Sequence, residues 1–130
     1  MTDLLFFQAV QEAVAKDSRY DPHAYEFVRE ALHVAVKHFR EGQEDQHVTG
    51  QEVLEGVRLH ALEEYGPMAL HLLNDWGIQR GEDIGNIVYN LIDTGYFGKK
   101  DGDSLEDFAG GYDFKEAFGA PFLPSVKPRP

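Results

Sequence analysis

Residues 65–108, YGPMALHLLNDWGIQRGEDIGNIVYNLIDTGYFGKKDGDSLEDF, decide how this chain reads. Gly66-Pro67 breaks the chain ahead of a helix whose Met68, Ala69, Leu70, Leu72, Leu73 and Trp76 surround most of its circumference. A short helix apolar on most sides belongs at the centre of a domain. Gly77 ends it, Ile78 to Gly81 turn, and Glu82-Asp83 place negative charge on the positive end of the next helix. There Ile84, Ile87, Val88, Leu91 and Ile92 form an inner face, while Asn86, Tyr89, Asn90 and Asp93 point outward until Gly95 stops the helix. Tyr96 to Lys100 then meets Asp101-Gly102, a dipeptide that supplies the positive φ angles of a tight hairpin turn, with Ser104 to Phe108 as the return strand. A competing reading has Ser104 and Asp107 capping a short helix; the hairpin is preferred. Helix, turn, helix and hairpin is the order of a winged helix. The expected fold is therefore mainly α with a small β-hairpin: one compact helical domain over residues 1–118, with a winged-helix-like, helix-turn-helix unit over 49–108.

Three further helices lie upstream. Leu4, Phe7, Val10 and Val14 recur at helical spacing with Leu5, Phe6 and Ala13 beside them, which predicts a first amphipathic helix with Phe6 at the edge of its packed stripe. Asp21-Pro22 starts the second: the carboxylate caps free N–H groups and proline suits the first helical position. Its apolar face runs from Ala24 to Phe39, its polar face carries Glu26, Glu30, His33, Lys37 and Arg40, and Gly42 closes it. A polar connector leads to Thr49, which stands in capping-box spacing with Glu52 while Val48 and Val53 form a hydrophobic staple. Val53, Leu54, Val57, Ala61 and Tyr65 are the buried stripe of this third helix, and Leu59 points away from it. Past Gly110-Gly111, Asp113 caps a short segment, Phe114 to Phe118. Residues 119–130, with four prolines, are expected to be an extended or disordered tail.

Charge narrows the function classes. The 130 residues carry 12 Lys/Arg against 23 Asp/Glu, a formal net charge of −11, and the excess is spread over both halves of the folded region. Nucleic-acid affinity comes largely from cations neutralising phosphates, so this balance works against it. It also opposes an anionic membrane surface. No apolar run approaches the roughly 20 residues that span a bilayer, and Met1-Thr2-Asp3 lacks the basic start of a signal peptide. A cytoplasmic location is expected. The absence of cysteine removes disulfides, thiolate metal ligands and thiol nucleophiles.

Catalytic motifs are not found. Ser18, Ser104 and Ser125 sit in no nucleophile elbow, and Gly77, Gly81 and Gly85 precede no Gly-Lys-Ser/Thr, so they read as helix ends and a close packing point. Glu30 with His33, and Glu44 with His47, match the Glu-x-x-His spacing of di-metal bundles, but they fall on a polar face and in a connector rather than inward. His60 and Glu64 stand one turn apart. His38 falls near the edge of a buried face. Asp101 and Asp103 begin like a calcium loop that Leu105 and Glu106 break. No catalytic, cofactor or metal residue is assigned. The residues with contact chemistry are Leu59, Arg80, Asn86, Tyr89, Asn90, Lys99 and Lys100. In a winged helix Asn86, Tyr89 and Asn90 would face bases and Lys99 and Lys100 phosphates, yet Glu82, Asp83 and Asp93 share that surface.

The segments AYEFVREAL, VTGQEVLEG, YGPMALHLLNDWGI, EDIGNIVYNLIDTG and DFAGGYDFKEAF together resemble a small uncharacterised bacterial family described only as restricted to Verrucomicrobia and Planctomycetes. The resemblance runs from about the first helix to Phe118. It implies a complete stand-alone protein, and it implies no activity and no site residue. The expected function is a non-enzymatic protein-interaction or adaptor module, with a protein partner or a second copy as its target. A DNA-binding regulator and a metal-binding protein or enzyme with a site assembled from His, Asp and Glu of different helices are the alternatives.

Overall fold

A computed structural model describes residues 3–98 and 103–119. Five helices account for most of it: α1 (Leu4–Lys16), α2 (Pro22–Arg40), α3 (Gly50–Tyr65), α4 (Ala69–Asp75) and α5 (Gly81–Asp93). A 3-10 turn, Gly66–Met68, joins α3 to α4. A second, Leu105–Phe108, and a final wide turn, Lys115–Gly119, follow α5.

The scaffold is the pair α2 and α3. Its contacts run backwards along the two helices: Arg40 meets Glu52, Glu30 meets His60, and Phe27 meets His60 and Tyr65, so the helices are antiparallel. Local chemistry fixes the link between them. Thr49 Oγ1 accepts from the Glu52 N–H at 3.1 Å, and Glu52 returns the bond to Thr49 N–H at 2.9 Å. Val48 and Val53 are both buried beneath this cap, as the staple requires. The same Glu52 carboxylate receives the Arg40 guanidinium through two bonds of 2.7 and 3.0 Å, while Arg40 Nε donates to His47 O. Connector, cap and helix end are thereby tied in one knot. Along the interface the helices touch at Gly56: a Cβ there would lie 2.5 Å from Ala31 O and 2.8 Å from Ala35 Cβ.

α5 lies across this pair with Ile84, Ile87, Val88 and Leu91 inward, as expected, and Ile92 half-buried. After it the winged-helix reading ends. No strand occurs among the described residues. Leu105–Phe108 is a 3-10 turn capped by Ser104, whose Oγ accepts from Glu106 N–H, and Asp107 Oδ2 accepts from Ser104 N–H. The competing capped-helix reading of Ser104 and Asp107 therefore holds, and the return strand does not. Lys99, Lys100 and the Asp101-Gly102 dipeptide lie outside the described residues. The packing at α5 accounts for this: Phe108 is buried against Gly85, where a Cβ would stand 2.9 Å from Phe108 Cγ and Cδ2. The segment is held down on the helix rather than projecting from it as a wing.

Two other expectations are corrected. α4 is not central: only Ala69 and Leu73 are buried, Leu70, Leu72 and Trp76 are half-buried, and Met68 before it is exposed. The centre is taken instead by α2, α3 and the C-terminal aromatics Phe114 and Phe118, both buried. α1 is rotated from its expected stripe. Phe6, Ala9, Val10 and Ala13 face inward, and Leu4, Leu5 and Phe7 face out. Phe6 is held between the Arg29 guanidinium, 3.8 Å from its ring centre, and the edge of Tyr96 at 5.1 Å. Asp3 locks this orientation, since its carboxylate caps Phe6 N–H and also receives Arg29 and Tyr96 Oη.

Candidate functional site

The outer face of α5, where base-reading residues would lie in a winged helix, is used for internal structure. Asp83, Asn86 and Asn90 recur at helical spacing along it and meet the corner between α1 and α2. Tyr20 Oη donates to Asp83 Oδ1 at 2.6 Å and accepts from Asn86 Nδ2 at 3.0 Å. Asn90 Nδ2 donates to Tyr25 Oη and to Asp17 Oδ2, both at 3.0 Å. Asp17 in turn holds Arg19 through two 2.8 Å bonds. Asp83 Oδ2 also accepts the N–H groups of Gln79 and Arg80, which closes the α5 start. Asn86 and Asn90 are thus half-buried and bonded within the chain, not presented outward. Asp93 remains exposed.

This network has an electrostatic signature. The Arg19 guanidinium holds the Asp17 carboxyl well below the usual carboxylate range, with the Asn90 bond assisting. Burial, then the bond to Asp83, pushes the Tyr20 phenol up to about 12. Burial raises Tyr25 as well, and Tyr112, whose Oη donates to Leu54 O at 2.7 Å, further still. A phenol whose folded pKa lies above its unfolded value contributes stability that is complete below about pH 10 and is lost as pH rises through the folded pKa. Helicity should therefore collapse between about pH 10 and 12, with much of the tyrosinate absorbance appearing in the same transition. Tyrosinate developing in full near pH 10 with the circular dichroism unchanged would contradict this account.

The other contact candidates are scattered. Arg80 is exposed at the start of α5, and Leu59 is half-buried on α3. Tyr89 lies beside the turn Leu105–Phe108 and lines a cavity of about 170 Å³. The cavity walls are apolar, including Leu32, Val36, Val53, Val88 and Phe108. Its polar edge holds His47, Asp103, Ser104 and Asp107, with His47 Nε2 3.1 Å from Asp103 Oδ1. The Tyr89 hydroxyl is enclosed and has no hydrogen-bond partner among the described residues. Leaving such a group unsatisfied costs about 1–3 kcal/mol. Burial raises its pKa, and the charges of Asp103 and Asp107 add to the rise.

Among the described residues, histidines and carboxylates meet in pairs. His60, buried on α3, bonds Glu30 Oε2 through Nε2 at 3.1 Å rather than Glu64 one turn away. His71 pairs with Asp75, and His23 with Asp21. His38 is exposed, its ring edge-on to Phe39. Among the described residues no group of three or more His, Asp or Glu converges.

One surface escaped the sequence reading. Leu4, Leu5 and Phe7 are 62, 71 and 52% exposed on the outer side of α1. Phe7 also borders a groove between α1 and α2 whose walls include Val10, Val14, Pro22, His23 and Glu26. Asp3, an N-cap three residues before Phe6 that is also bonded to Arg29 and Tyr96, sets which side of the Leu-Leu-Phe-Phe run turns inward, and those two distant bonds leave no local signal.

These features define a mainly helical domain with an apolar outer helix and a small, partly open cavity. Comparison with known protein families, with curated proteins and with solved structures gives no match. No helix among the described residues is long and apolar enough to cross a membrane.

Proposed function

We propose that this chain is a non-enzymatic protein-interaction module that self-associates through the outer face of α1. The observation that supports it is the cluster of Leu4, Leu5 and Phe7, three large apolar side chains more than half exposed within one helical turn. Single exposed apolar residues are ordinary, whereas adjacent ones beside a groove mark a contact surface. A second copy is a fitting occupant because the face is apolar where the rest of the chain is strongly acidic. Apolar association avoids the mutual repulsion that a net charge of −11 imposes elsewhere. Kinship to the bacterial family that the sequence resembles, and a cytoplasmic setting, belong to the same proposal.

DNA binding receives less support, because Asn86 and Asn90 are engaged with Tyr25, Tyr20 and Asp17 and the surrounding charge is negative. The test is mass in solution for the wild type and for the double variant Leu5→Glu/Phe7→Glu. The wild type should be dimeric by light scattering and native mass spectrometry. The variant should be monomeric and keep its helical circular dichroism, since both residues are more than half exposed, and its melting temperature should lose the concentration dependence that association gives the wild type. A wild type that stays monomeric at every concentration, or a variant that stays dimeric, would sink the proposal.

A further inference from the structure

The groove between α1 and α2 carries an inference that does not depend on self-association. We infer that it is the docking site of this chain's own C-terminal segment, residues 120–130, laid back across α4 in an extended form with Lys127 and Arg129 beside Glu26. The groove is an open trough of about 730 Å³. Val10 and Val14 of α1 give it an apolar floor, and Pro22, His23 and Glu26, all exposed, rise from the start of α2. Arg29, at the other end, is already bonded to Asp3.

Reach, composition and charge choose the occupant. The described chain ends at Gly119, where a Cβ would lie 3.6 Å from Leu70 Cδ2. From Leu70, α4 rises roughly 9 Å to Trp76, whose indole stacks on the His23 ring at 6.2 Å. The way from Gly119 to the His23 end of the groove is thus roughly 20 Å, and eleven residues at about 3.1 Å each reach about 34 Å. Pro121, Pro124, Pro128 and Pro130 restrict the segment towards extended backbone, so it loses less entropy on docking. Phe122, Leu123 and Val126 supply apolar side chains for Trp76 and the valine floor. The segment carries Lys127 and Arg129 and no acid, whereas all 23 Asp and Glu of the chain precede it. Glu26 has company on that side of the domain: with Glu30 and Glu64 it acts on the Tyr65 hydroxyl. Surface ion pairs are individually weak, but a tethered segment faces its site at an effective concentration in the millimolar range, where weak contacts suffice.

The chain has no cysteine, so Ser125→Cys in the full chain offers a single attachment point for a nitroxide spin label. Amide ¹H–¹⁵N spectra of the labelled protein should show paramagnetic broadening at Gln11, Val14, Ala15, His23 and Glu26. The broadening should persist on dilution. It should be absent when spin-labelled chain at natural nitrogen abundance is mixed with ¹⁵N chain that carries no label. Adding Lys127→Glu/Arg129→Glu should reduce the rate enhancement at Glu26 at least about threefold, because two attractive pairs become repulsive. Salt at about 0.5 M should act in the same direction by screening. All three substitutions lie outside the described domain, and unchanged amide positions in α3 and α5 show that it is intact. Broadening confined to residues 112–119 and α4, or centred on another face, would overturn the inference. Broadening that appears only in the mixed sample would place the segment on a second copy and overturn it equally, as would a rate at Glu26 indifferent to charge reversal.

Discussion

Phe118→Ala should destabilise the protein by about 3–5 kcal/mol, the range for removing a fully buried phenylalanine. Phe118 is 0% exposed although it stands at the end of the described chain. It meets Phe114 edge-on at 5.1 Å and Tyr112 edge-on at 5.7 Å, and those two rings stack at 5.5 Å. Tyr112 anchors the trio by its bond to Leu54 O within α3. The substitution opens a cavity between α3, α4 and the last turn, and it also removes two aromatic pairs, each contributing about 0.5–1.5 kcal/mol beyond its buried area. For a chain of this size that corresponds to a fall in melting temperature of roughly 10–20 °C. Denaturant titration gives the free energy directly, and a loss below about 1 kcal/mol would mean that the C-terminal turn is not part of the core.

The second large effect is at Gly56. Gly56→Leu should cost about 3 kcal/mol or more, at or beyond the upper end of overpacking penalties. The first added atom would already stand 2.5 Å from a backbone carbonyl, that of Ala31, in the middle of α2. A carbonyl inside a helix cannot move without shifting the helix, so α2 and α3 must separate and Phe27, Val28 and Val57 lose their packing. A leucine is the better helix former by up to about 1 kcal/mol, which makes the sign of the outcome informative: local propensity and tertiary space oppose each other, and space should win. Gly98→Ala is the control, because nothing lies within 4 Å of a Cβ there, and its stability should change by less than about 0.5 kcal/mol. Equal stabilities for the two variants would contradict the close approach of α2 and α3.

The elements with self-contained signals were legible in the chain. Asp21-Pro22 and the Thr49–Glu52 box start helices where expected, because a cap is satisfied within four residues of itself. The inner face of α5 was legible because its apolar residues are separated by polar ones. α1 was not, because Leu4-Leu5-Phe6-Phe7 is apolar without interruption and periodicity cannot choose which pair turns inward. Asp3, Arg29 and Tyr96 choose, across separations that no local pattern records. The hairpin expectation failed for a related reason. Asp101-Gly102 is a strong local turn signal, but Phe108, which would sit in the return strand, is buried against Gly85 of α5 within a 3-10 turn. The polar residues of α5 were misplaced because Asn and Asp look alike in sequence whether they face solvent or a buried tyrosine. The Tyr89 cavity left no pattern at all, since its walls come from α2, α3, α5 and two connecting segments.

The bonds that seat α5 on the α1–α2 corner join residues 63 to 73 positions apart, and they are hydrogen bonds to tyrosine, asparagine and aspartate rather than packed hydrocarbon. The α2–α3 hairpin, by contrast, closes over a short connector. Bringing distant segments together costs more chain entropy than closing a short loop. Hydrogen bonds also exchange with water at little net gain, so this corner is the seam along which the fold opens first. α1 carries one side of that corner through Asp17, and binding across its outer face would lower the frequency with which the corner opens.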